Sequence, residues 1–218
     1  MRSLAQPDVL KSAATAALFS ALACSPRLFL WVKRPYALWY SEAVLFLCGV
    51  VLWAFVFGWH TRYTGRPVFT RKMGVAPFAW ATLAGVGMAI LLHARLDPAL
   101  RLRTPEDYPS TPEQWLAQTL FALSFTQLYL VFAAFAWFAR LFQNTSMAAV
   151  LTVLFGVFVL AVKSHASPTP MPTPLLLALL AARVVLGILS VLFYLRGGVL
   201  LAWWWGLLLQ CRHLWSMG

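Results

Sequence analysis

Acidic residues are nearly absent from this chain: six Asp and Glu stand among 218 residues, against 17 Lys and Arg. Charge of either sign is scarce, at 11% of residues, while hydrophobic residues make up 61%. A soluble domain needs far more charge to cover its surface, so a soluble globular fold is excluded. No polar block approaches the length of a second domain, which leaves one membrane domain over residues 1–218. The alternating segments of about ten residues that build a transmembrane barrel are missing too. Cys24, Cys48 and Cys211 share no short spacing and lie in or beside apolar runs. They form neither a disulfide framework nor a zinc motif and read as small buried hydrophobes. The first residues do not make a clear signal peptide: Ala13, Ala14, Ala16 and Ala17 keep the run only mildly apolar, and no cleavage site follows.

What is present is a series of long apolar runs, the mark of bilayer-spanning helices. The expected fold is all-α, a polytopic transmembrane bundle of six or seven helices. Residues 9–24 begin it, with Ser25-Pro-Arg27 as a break that the run either crosses to reach Trp31 or does not. Spans are expected at 36–59, 75–94, 112–142, 147–163, 175–195 and 198–214. Trp39, Tyr40 and Trp59 suit an interfacial belt. Residues 95–113 form the one substantial polar loop and hold Asp97, Glu106, Asp107 and Glu113. Its end predicts a helix start, with Thr111 as N-cap, Pro112 at the first position and Gln114 closing a capping box. Ser167 to Pro174 is a proline-rich turn, and Arg196-Gly-Gly198 joins the last two helices. The net charge of +11 is spread as basic flanks, such as Lys33-Arg34 and Arg71-Lys72. Such flanks meet lipid headgroups, so the expected partner is the bilayer and not nucleic acid. With seven spans, eight Lys and Arg fall on each side, and charge does not orient the chain.

Glu42 and Arg183 are the acid and base well inside predicted spans, where ionisable groups are functional candidates. Both helices start on one side, and the depths of the two residues differ by only ~3 Å. They are expected to pair, directly or through water. The pair serves either as an intramembrane site or as a structural contact, and a snorkelling arginine is the third option. His60, His93, His165 and His213 lie near helix ends, the last three on one side. Three histidines are a zinc-type set, but no local His-x-x-x-His pair exists, so no metal and no cofactor is expected. Asn144-Thr-Ser146 matches a glycosylation sequon, a short and weakly specific pattern.

Residues 73–214 resemble a known family, while 1–72 supply the N-terminal helices. Met73-Gly-Val-Ala-Pro-Phe78 is similar to its lead-in, and Pro112-Glu-Gln-Trp-Leu-Ala117 to the start of its first motif helix. Phe193-Tyr-Leu-Arg-Gly-Gly198 is similar to the segment before its last helix. The family is CPBP, the CAAX-protease-like or ABI group of glutamate-type intramembrane proteases. The resemblance places the catalytic Glu-Glu-x-x-x-Arg on Thr126, Gln127 and Val131, and the Phe-x-x-x-His histidine on Val159. The final His-x-x-x-Asn falls on Leu207 to Cys211, with Gln210 and His213 the nearest polar residues. Neither Thr nor Gln serves as a base near neutral pH. The resemblance therefore implies a pseudo-protease of a bacterial inner membrane that binds a membrane peptide or partner protein. A non-enzymatic scaffold or transport-associated subunit is one alternative. An active peptidase built on non-standard residues, Glu42 and Arg183 among them, is the other.

Overall fold

The computed structural model describes Leu4 and residues 6–31, 35–70, 74–166 and 171–217, without the side chains of Trp31, Pro35, Tyr36, Glu106 and Ser216. Lys33-Arg34, Arg71 to Met73 and positions 167–170 of the proline-rich turn lie outside it. The chain is an all-α bundle. Its helices are α1 (Pro7–Trp31), α2 (Ala37–Thr64), α3 (Val75–Arg95), α4 (Pro112–Phe142) and α5 (Thr145–His165). Two more, α6 (173–197) and α7 (199–211), are separated at Gly198. Among the described residues six helical segments are long and apolar enough to span a membrane, counting α6 and α7 as one run.

Pro26 does not end α1. A proline inside a helix strips one carbonyl of its donor, but spanning helices tolerate it because there is no water to favour an open chain. The Ser25 hydroxyl also donates to Ala21 O one turn back, at 3.2 Å. Small residues Ala13, Ala17, Ala21 and Cys24 form a buried stripe on α1. They let α2 come close enough that a Cβ on Gly49 would lie 3.2 Å from Ala17 Cβ, which is how spanning helices gain packing contact. Trp53 then donates to Ser20 Oγ at 3.0 Å.

α4 begins as the sequence predicts, with Gln114 N–H donating to Thr111 Oγ1 at 3.3 Å. The return bond differs. Gln114 Oε1 accepts from the Ser110 N–H and hydroxyl, both at 2.9 Å, and not from Thr111. Asn144, the sequon residue, caps α5 by accepting from Met147 N–H at 3.0 Å. The cap starts α5 at Thr145, two residues before the expected 147–163 span, and its far end runs two residues on to His165.

α6 and α7 form a tight hairpin. Trp205 Nε1 donates across it to Ser190 Oγ at 3.1 Å. Gly198 turns the chain at φ 68°, ψ −160°, and Val199 N–H donates to Val68 O at 3.0 Å. A Cβ on Gly198 would strike that same Val68 carbonyl. The core gathers around Trp53, Phe132, Phe135 and Tyr194, each at most 1% exposed. Phe19, Trp39, Leu83 and Phe158 point outward, as lipid-facing residues do. Trp39 and Tyr40 fit the interfacial belt, but Trp59 does not: it is buried, with Arg140 4.6 Å above its ring.

Candidate functional site

The motif positions of α4 sit where the helix is widened. Two π turns, Ala122–Thr126 and Leu128–Ala133, flank Gln127, and such turns re-aim side chains and gather at functional sites. Gln127 Nε2 donates to Ala202 O on α7 at 3.2 Å. Gly206 lies directly beneath, and a Cβ there would collide with the Gln127 amide. Gln127 Oε1 is buried without a partner. Val131 is buried in the main core, and Thr126 is half-buried. Val159 is half-buried on α5 and borders none of the cavities described below. Sequence matching thus brings Gln127 to the last helix and leaves Val159 apart from both cavities.

The four polar candidates do not converge. Glu42 lies within electrostatic range of the Cys24 thiol on α1. Arg183 donates from Nε to Gly156 O on α5 at 3.3 Å, over a glycine whose missing Cβ leaves room for the guanidinium. No direct ion pair joins Glu42 and Arg183 among the described residues. Arg183 faces α5 through its bond to Gly156 O, while Glu42 lies near α1. Gln210 contributes its backbone, with its carbonyl accepting from Trp115 Nε1 at 2.9 Å.

Two histidines do come together, around an acid that the sequence reading left in a loop. Asp97 is 2% exposed. It accepts from Tyr108 Oη at 2.9 Å, and Arg212 Nε lies 3.3 Å from its other oxygen. His93 Nδ1 lies 3.7 Å away. His213 meets Tyr108 edge-on at 5.2 Å, and the Arg101 guanidinium sits 5.1 Å over the same ring. Burial holds the Tyr108 phenol well above its usual range, with Asp97 adding to it. Burial also pulls the His213 imidazole down to about 3, helped by Arg212, Arg101 and His93. A cavity of about 230 Å³ opens beside it, lined in part by Lys163, Arg212 and His213. His165 stays exposed at the end of α5. Among the described residues no three His, Cys, Asp or Glu are placed to hold a metal. The sequence signal for this cluster was His93 and Asp97 at i, i+4, one helical turn apart.

His60 lies in a π turn of α2, fully buried, with its ring 4.7 Å from that of Tyr194. Neither ring nitrogen of His60 nor the Tyr194 hydroxyl has a hydrogen-bond partner.

A cavity of about 850 Å³ lies between α1 and α4 over a floor of α2 and α7. Among the described residues, Lys11 is the one titratable residue that lines it. Ser20 and Ser124 are its deeper hydroxyls, and Ser20 is taken by Trp53. Among the described lining residues no carboxylate or imidazole stands beside either serine. No protein-family model, curated protein or solved structure matches the chain.

Proposed function

We propose that this is a CPBP-like membrane protein that binds without hydrolysing. The observation that carries the reading is the seating of Gln127 against Ala202 O and Gly206. In the family alignment that is where the glutamate helix and the last helix would frame a catalytic water. Here an amide, which takes no proton near neutral pH, occupies the junction. The resemblance also puts valines at the family's arginine and histidine positions, Val131 and Val159, and valine side chains donate nothing. As a relative of intramembrane proteases the chain would hold a membrane peptide or partner protein, in a bacterial inner membrane.

The test is a cleavage assay on purified protein in lipid, with membrane-anchored peptide substrates. No turnover is expected from the wild type. None is expected from Gln127→Glu either, because one positioned catalytic group is commonly worth about 10²–10⁴-fold and several are missing. Turnover by the wild type would overturn the reading. Loss of that turnover in Glu42→Gln, with folding intact, would favour a peptidase using non-standard residues.

A further inference from the structure

We propose that the cavity between α1 and α4 is a binding site for one anionic lipid drawn from a single leaflet. The inference stands on the shape and charge of the cavity alone and does not depend on the protease resemblance.

Length comes first. The α1 wall runs from Lys11 to Ala23, about 18 Å at ~1.5 Å per residue. A bilayer core of ~30 Å gives roughly 15 Å per leaflet, so the cavity is one leaflet deep. The chemistry of the walls decides the class of occupant. An extended peptide would bring N–H and C=O groups into walls of Phe19, Trp53, Phe57, Leu123 and Trp203. Those walls cannot satisfy them. An acyl chain makes no such demand.

The cavity is also polar at one end only. Lys11, Ser12 and Thr15 stand where α1 begins, and the apolar walls lie below them. Thr15 spends its hydroxyl proton on Lys11 O at 2.9 Å, which leaves the Lys11 ammonium as the charged donor at that end. The same end of the bundle carries Arg62, Arg66, Arg140 and Arg196 among the described residues. Its one described acid, Asp8, is exposed and does not line the cavity. The opposite end offsets three of its six described bases with Asp97, Asp107 and Glu113. An anionic headgroup is therefore favoured at Lys11.

The test uses the purified full chain and native mass spectrometry, with phosphatidylglycerol and phosphatidylcholine of equal chain length as probes. A phosphatidylglycerol carrying a photoreactive acyl chain maps the site. The expected result is one retained lipid per chain, phosphatidylglycerol over phosphatidylcholine, with labelling at Trp53, Leu123 or Trp203. Lys11→Glu should cut the preference by at least about five-fold, the effect of one basic residue near a membrane surface. Ala16→Trp should displace the lipid by filling the cavity. If Ala16→Trp does not fold, the wild-type labelling pattern decides. Labelling elsewhere, no retained lipid, or a headgroup preference unchanged in Lys11→Glu would overturn the proposal. Retention of a peptide in place of lipid would do the same.

Discussion

Gly198 and Gly65 share a φ of 68° but not a fate. Gly65 caps the end of α2 with open space around its missing Cβ. Gly65→Ala should therefore cost only the left-handed backbone penalty, about 1–2 kcal/mol. Gly198 sits at ψ −160°, a region open to glycine alone, and its Cβ would strike Val68 O. Gly198→Ala should cost more than about 3 kcal/mol, read as the larger fall in Tm in a detergent melt of both variants. His213 gives a pH prediction. Its folded-state value of about 3 lies below the ordinary 6.5, so the unfolded chain binds the extra proton between those pH values. Its contribution is complete above pH 6.5 and shrinks as pH falls toward 3, by at most about 1.4 kcal/mol per unit. The Tm should drop on acidification from pH 7 to 4, and His213→Gln should flatten that drop. An unchanged slope in the variant would assign the acid sensitivity to another group. The sequence placed His213 at the correct end of the bundle but gave no sign of its burial. That burial comes from Tyr108 and Arg101, which reach it from a different loop.

At the scale of elements, helix starts were the most legible feature. Thr111-Pro112 and the long α4 follow from cap chemistry and an unbroken apolar run, both local properties. Thr111→Ala should cost about 1 kcal/mol and speed amide exchange in the first turn of α4. The box survives in part through Ser110 and Gln114. A double change to Ala at Thr111 and Gln114 should therefore exceed Thr111→Ala alone. The π turns at Val56–His60, Ala122–Thr126 and Leu128–Ala133 were not legible. Their wider rungs are stabilised by what packs against them, Tyr194 against His60 and Ala202 against Gln127, and both partners are distant in sequence.

At the scale of the molecule, the helix order puts residues 61–66, 143–144 and 196–198 at one end and 95–111 and 212 at the other. Arg62→Cys and Asn144→Cys should react with an impermeant thiol reagent from one side of the membrane, and Leu102→Cys from the other. Reaction of all three from one side would break this topology. The sequence by itself determined the all-α membrane class, the approximate position of the spans after the first and the reversal at Gly197-Gly198. These rest on length and composition along the chain, because a bilayer forces each apolar run to satisfy its own backbone as helix. Depth is countable in the same way, at ~1.5 Å per residue, which is why Glu42 and Arg183 looked like partners. Facing direction is not countable. Spanning helices are apolar all round, so no polar stripe marks their inner face, and small-residue packing chooses it. Only the tertiary structure placed Glu42 near α1, turned Arg183 toward α5, buried Asp97 beneath Tyr108 and Arg212, and left an 850 Å³ space behind Lys11.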